Sequence, residues 1–329
     1  MTISPQTSRA SLSARADLPL AVGPAISQMR ASMLVVLTLV APDLDSLEEV
    51  IPHTLEAMAG AGCTIQDSDI LGDGAADFVV DHGEVAVIRR AAEQALARHP
   101  IDVCAQPLAH RRKRLLIADM DSTIIDKECL DELAEFAGVR ERVQEITERA
   151  MRGEIAFAPA LRERVAMLEG LAVAELERVY AERINLNPGA RTLVRTMAAN
   201  GARCVLVSGG FDVFTRRVAA DAGFHLDRAN RLVHVNGLLA GTVEEPVLGR
   251  EAKLEALIEE ARAAEVDLID TMAVGDGAND LDMIKAAGLG VAYRAKPVVA
   301  EAADARVDHA DLTALLYFQG YAADEFVTD

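Results

Sequence analysis

Residues 115–125 read Leu-Leu-Ile-Ala-Asp-Met-Asp-Ser-Thr-Ile-Ile, and this stretch decides the fold. The run Leu115–Ala118 is short, apolar and preceded by a basic segment, the pattern of a buried strand in a parallel sheet. In open α/β sheets, ligands sit just beyond the carboxyl ends of strands. Asp119 and Asp121 fall at that point. Two neighbouring acids repel each other, and a hard divalent cation with oxygen ligands, Mg²⁺ by expectation, relieves the repulsion. One carboxylate can then act as nucleophile and the other as proton carrier. Taken alone, the pair reads equally well as turn chemistry.

Three further segments favour the chemical reading. Cys204–Gly210 is another apolar strand, ending in a hydroxyl and two glycines. Ser208 and the N–H groups of Gly209 and Gly210 can cradle phosphate oxygens at a helix start. Lys253 opens the helix-like run 250–264, where a lone lysine usually reads as a surface charge. In Asp270–Leu281, Met272–Val274 ends a strand, and Gly275, Asp276, Gly277, Asn279 and Asp280 follow. The glycines let the backbone approach an ion closely, and Asp276 between them is not explained by helix capping.

Asp119-Met-Asp121-Ser-Thr, Ser208-Gly-Gly, Lys253 and Gly275-Asp-Gly-Ala-Asn-Asp280 resemble, together and in order, the four motifs of the haloacid-dehalogenase-like phosphohydrolases. Within them, residues 110–325 most resemble the phosphoserine phosphatase family. The resemblance includes Asp119–Ala134 with Glu128, Met151–Val165 with Phe157 and Arg164, and Gly290–Pro297. It implies Mg²⁺-dependent hydrolysis of O-phospho-L-serine through an aspartyl phosphate, the closing step of serine biosynthesis. By the same resemblance Asp119 is the nucleophile and Asp121 the general acid and base. The metal falls to Asp119, Asp276 and the Asp121 carbonyl. Ser208, Gly209 and Lys253 hold the phosphate, while Glu128 takes the ammonium and Arg164 the carboxylate. Phe157 and Met151 close the apolar side. Asn279 and Asp280 order the metal's water shell or orient Lys253. The alternative is a related phosphatase or phosphotransferase for another small phosphoester.

Composition fits this reading. A chain of 329 residues suggests two domains, and 51% apolar content supplies a core, necessarily aliphatic because Trp is absent. A net charge of −19 argues against nucleic acid. Cysteines at 63, 104, 129 and 204 form no Cys-x-x-Cys and read as buried hydrophobes in a reducing, cytoplasmic compartment. The run Met33–Val40 is too short to span a bilayer, so no membrane is expected.

The chain divides into a disordered tail (1–31), an ACT-like module (32–108) and the α/β domain (109–329), a Rossmann-like parallel sheet with a helical cap at about 127–187. In the module, 33–40 reads as a strand and Leu44–Ala61 as a helix with its apolar face at Leu44, Leu47, Ile51, Leu55 and Met58. Ile65–Ile70 and Ala76–Val80 read as a hairpin about Gly72-Asp-Gly74, then Val85–Arg98 as a helix and Ile101–Pro107 as a strand. This βαββαβ order resembles an ACT domain, but the loop Ala41–Ser46 lacks the glycine that amino-acid-binding members usually carry. The module is therefore expected to pack or to dimerise, which leaves a homodimer open. His110–Arg114 reads as a solvated linker, and Arg228–Val243 as a β-hairpin about Asn236-Gly237.

Overall fold

The computed structural model describes residues 34–151 and 154–328, so the expectation for the tail 1–31 falls outside the described residues. The chain begins with β1 (Val35–Val40), α1 (Leu44–Gly60), β2 (Thr64–Gly72), β3 (Ala75–Asp81), α2 (Val85–Ala95) and β4 (Asp102–Pro107). The sheet order is β2-β3-β1-β4, with β1 antiparallel to β3 and β4. This is a ferredoxin-like unit. Asp43 caps α1 by accepting the Ser46 N–H at 2.8 Å. The buried face of α1 corrects the expected one. It is Leu47, Val50, Thr54 and Met58, whereas Leu44 and Leu55 are exposed. Thr54 is tolerated inside because its hydroxyl donates to the Val50 carbonyl at 3.0 Å.

The decisive strand is β5 (Leu115–Ala118), fully buried. After it come α3 (Cys129–Phe136), α4 (Arg140–Met151), α5 (Phe157–Ala166) and α6 (Val173–Arg183), then α7 (Ala190–Ala199), β6 (Arg203–Phe211), α8 (Asp212–Ala222) and β7 (Leu226–Asn230). The hairpin is β8 (Leu232–Val235) and β9 (Leu238–Val243), followed by α9 (Arg250–Ala263), β10 (Thr271–Gly275), α10 (Leu281–Ala286), β11 (Leu289–Tyr293), α11 (Pro297–Ala300), β12 (Ala305–Val307) and α12 (Ala314–Phe318). The large sheet is parallel, in the order β12-β11-β10-β5-β6-β7. Arg228 thus belongs to its edge strand, and the expected hairpin starts only at Leu232. The cause is local: Val205–Val207 already pairs with Leu226–Arg228, and only 232–243 folds back on itself.

The helical excursion leaves and returns by one ribbon. Ile125 bridges Leu186, and buried Asn187 donates to the carbonyls of Thr123 (2.7 Å) and Ile125 (3.0 Å). Hairpin β8–β9 straps the far side, with Gly170 and Val173 N–H groups donating to Leu239 and Gly237.

The linker is solvated only in part: His110, Arg112 and Arg114 are exposed, whereas Arg111 and Lys113 turn inward. Arg111 pairs with Asp77 at 2.6 Å and also donates to the Tyr317 and Phe318 carbonyls. Lys113 is 4% exposed, with its ammonium on the Ile269 carbonyl at 2.9 Å. Arg112 stacks on the Tyr321 ring and pairs with Glu325. The ferredoxin-like unit is thereby fixed to α12. Buried Val40, Leu71, Ala75 and Cys104 join the same apolar cluster as Leu312, Leu315 and Phe318.

Candidate active site

Three neighbouring strands, β10, β5 and β6, aim their carboxyl ends at one place. β5 delivers Asp119 and a tight turn that carries Asp121, β6 delivers Ser208, and β10 delivers Asp276. From below, α9 inserts Lys253, which is 1% exposed, and its ammonium lies 2.5 Å from Asp119 Oδ1 and 2.6 Å from Asp280 Oδ1. Taken by itself the lysine reads as a surface charge, and only its place among the four motifs points to the site. The two carboxylates explain how the ammonium is buried.

Asp280 is held at both oxygens, since its Oδ2 accepts the Gly277 N–H at 3.0 Å. Its carboxyl carbon lies 2.4 Å from where a Cβ on Gly275 would stand, so only glycine fits there. Asp121 is held at both oxygens. Oδ1 accepts the Cys129 N–H at 3.0 Å, and Oδ2 accepts the Ser208 hydroxyl at 3.3 Å. Ser208 in turn accepts the Gly210 N–H at 2.8 Å. The Asp276 carboxylate has neither a hydrogen bond nor an ion pair among the described residues.

At the floor, the buried Lys253 ammonium therefore faces several acids, and the proton affinities follow. Burial and the Asp280 charge push Asp119 well above the usual carboxylate range, against the pull of Lys253. Burial, then Glu128, raise Asp121 to about 7. Burial, then Asp280 and Glu128, raise Asp276 to about 6. Burial alone would lower the Lys253 ammonium, but Asp119 and Asp280 outweigh it and hold it raised. Asp119, Asp276 and Asp280 bring carboxylate oxygens within 4.8 Å of one another. That hard-oxygen set, short of positive charge, can hold a metal ion.

Above these groups lies a cavity of about 560 Å³, roofed by α4 and α5. It brings together Asp119, Asp121, Glu128, Phe157, Arg164, Ser208, Gly209, Asp276 and Asn279, with Lys253 and Asp280 beneath. Arg164 is held by the Ala160 carbonyl (3.2 Å) and the Thr147 hydroxyl (3.3 Å), and burial lowers its proton affinity. Phe157 reaches across to Gly209, where a Cβ would stand 3.0 Å from its ring. The side chain of Met151 lies outside the described residues. Sequence reasoning gave no role to Lys296, which lines the cavity and donates its N–H to the Asp276 carbonyl at 3.0 Å. Its signal was the stretch Gly290–Pro297, noticed without a function. A smaller cavity of about 110 Å³, between α2 and Arg306–His309, contains none of these groups.

The sequence model of the haloacid dehalogenase-like hydrolases matches residues 116–285. A phosphoserine phosphatase of Archaeoglobus fulgidus is 42% identical over 243 residues, 73% of this chain and 70% of that protein. One from Streptococcus thermophilus is 46% identical over 200 residues, 61% of this chain and 93% of that protein. The crystal structure of a probable phosphoserine phosphatase from Vibrio cholerae superposes with a TM-score of 0.70 and 31% identity, covering 90% of this chain and 89% of that one.

Proposed function

The chain belongs to the haloacid-dehalogenase-like hydrolases, and from that membership we propose that it hydrolyses O-phosphoserine to serine and inorganic phosphate, the final step of serine biosynthesis. The observation that carries the reading is one cavity with Asp119 and Asp121 at its floor and Glu128 and Arg164 on its walls. Such a cavity suits a phosphoester at one end and an amino-acid zwitterion at the other. An Asp119 oxygen attacks phosphorus, and the bond from phosphorus to the serine oxygen breaks as Asp121 protonates that oxygen. Asp121 then takes a proton from water, the water oxygen attacks the aspartyl phosphate, and phosphate leaves with Asp119 restored. Ser208, the Gly209 N–H and Lys253 hold the phosphoryl oxygens. Asp280 keeps Lys253 aimed at Asp119. We assign Mg²⁺ to Asp119, Asp276 and the Asp121 carbonyl, with Asn279 ordering its water shell. When bound, the cation neutralises charge on phosphoester and nucleophile. The acid-rich cluster supports a cation, and the all-oxygen donor set supports a hard one.

Glu128 reads the ammonium and Arg164 the carboxylate, with Phe157 closing the apolar side. Residues 127–187 act as the cap that excludes water. Residues 32–108 we read as an ACT-like packing module, which leaves a homodimer open. No helix among the described residues is long and apolar enough to cross a membrane. The four cysteines are free and buried, which supports a reducing, cytoplasmic setting.

The assignment is tested by phosphate release from O-phospho-L-serine with Mg²⁺ and with chelator. Absence of turnover on this ester, with turnover on another small phosphoester, would replace the substrate. Within that assay, Arg164→Ala is expected to raise KM for phosphoserine roughly 10- to 100-fold, the worth of a charge-assisted hydrogen bond. Phosphoethanolamine, which lacks the carboxylate, should show little change. Equal losses on both esters would make Arg164 structural.

The metal has its own signature. Without it, the Asp276 carboxyl holds its proton up to about pH 6, above the unfolded value of 3.8. The native state then binds more protons in that window, and this group's contribution to stability falls as pH rises through it. Cation binding needs the carboxylate, so the rise in Tm given by saturating Mg²⁺ should grow from about pH 5 to about pH 7. Asp276→Asn should flatten that growth. Thermal melts with Mg²⁺ and with chelator check this, and an increment independent of pH would put the cation elsewhere.

A further inference from the structure

We propose that Ser122 is a positioning residue whose hydroxyl aims the Glu128 carboxylate into the cavity; this rests on Glu128 as the reader of the substrate ammonium. Ser122 directly follows Asp121 and adopts φ +57°, a left-handed backbone that non-glycine residues seldom take. Strain of this kind persists where the surroundings enforce it, and it clusters at functional loops. Here the turn is closed by the Ser122 N–H on the Lys127 carbonyl at 3.3 Å. In that geometry the hydroxyl donates to Glu128 Oε1 at 2.7 Å.

Glu128 needs such a partner. It is an exposed residue just before α3, with no helix turn on its amino side to restrict it. A free glutamate samples many rotamers, and ordering it on binding weakens affinity. The Ser122 hydroxyl engages one oxygen and leaves Oε2 to meet a cation. The next residue, Cys129, donates its N–H to Asp121 Oδ1. Residues 121–129 therefore form one hydrogen-bonded loop that fixes the proton carrier and the ammonium reader relative to each other. An ammonium seated on Glu128 is then registered to the ester oxygen that Asp121 protonates.

The test compares O-phosphoserine with 3-phosphooxypropanoate, the same ester without its ammonium. Ser122→Ala removes the hydroxyl, and Ser122→Gly removes it while relieving the left-handed backbone. Both variants should raise KM for phosphoserine roughly three- to tenfold. KM for the desamino ester and kcat on both should stay within about twofold. In a Glu128→Ala background the same changes should add nothing, because their partner is gone. An unchanged KM for phosphoserine in both variants overturns the proposal, and so do parallel losses on both esters, which would assign Ser122 to loop shape. The reading of Glu128 fails separately, if Glu128→Ala alone does not discriminate between the two esters.

Discussion

Replacing Asp119 by Asn is expected to abolish phosphate release, by roughly 10⁴-fold or more, while leaving the fold intact. The neutral amide is nearly the same size but has no charged oxygen to attack phosphorus. Its carbonyl still offers an acceptor to the Lys253 ammonium, which now lies 2.5 Å from Asp119 Oδ1 and retains Asp280 in any case. Burial and Asp280 already disfavour the Asp119 charge. Removing it should therefore leave the metal-free Tm unchanged or raise it, because one repelling carboxylate disappears from a pocket with a single buried lysine. The stabilisation by Mg²⁺ should shrink at the same time, since the cation exchanges a charged ligand for a neutral one. Phosphate release with parallel melts separates the two effects. Near-wild-type turnover in a folded Asn variant would remove Asp119 as nucleophile, and the assignment with it.

The site was legible because its chemistry is written at strand ends. An apolar run followed by Asp, Ser or Gly places those groups beyond a parallel sheet whatever the rest of the chain does. Asp119, Ser208 and Asp276 converge for that reason. What could not be read locally depends on partners distant in sequence. Lys253 resembles a surface charge until Asp119 and Asp280 stand beside it. Arg111 and Lys113 resemble a solvated linker until Asp77 and the carbonyls of Ile269, Tyr317 and Phe318 surround them. The face of α1 was read only in part, correctly at Leu47 and Met58 but not at Leu44 and Leu55, because its apolar residues allow two stripes. The buried one runs through Thr54, whose hydroxyl is satisfied within the helix. Ser122 stood inside the first motif but was given no role, since the part proposed for it depends on a left-handed backbone angle.

Deleting residues 1–108 is expected to spare the chemistry and cost much of the stability. Among the described residues none before Asp119 lines the large cavity, so a folded remainder should keep kcat within a few-fold. Stability is a different matter. Val40, Leu71, Ala75 and Cys104 belong to the cluster that buries Leu312, Leu315 and Phe318, and their loss uncovers that apolar surface. Each large apolar side chain returned to water costs about 1.5–3 kcal/mol, so several together cost on the order of 5 kcal/mol. For a domain of this size that corresponds to a fall in Tm of about 10 °C or more. Arg111 also loses Asp77, although it regains water. The Asp102 carboxylate, which accepts the N–H groups of Asp308, His309 and Ala310, disappears too, and the loop after β12 should loosen. Thermal melts and kcat measured below the lowered Tm check both halves. A truncated protein as stable as the full chain would mean that the shared cluster contributes little. A folded but inactive one would mean that the ferredoxin-like unit holds the site in shape through α12, and residues 109–329 would then not suffice for catalysis.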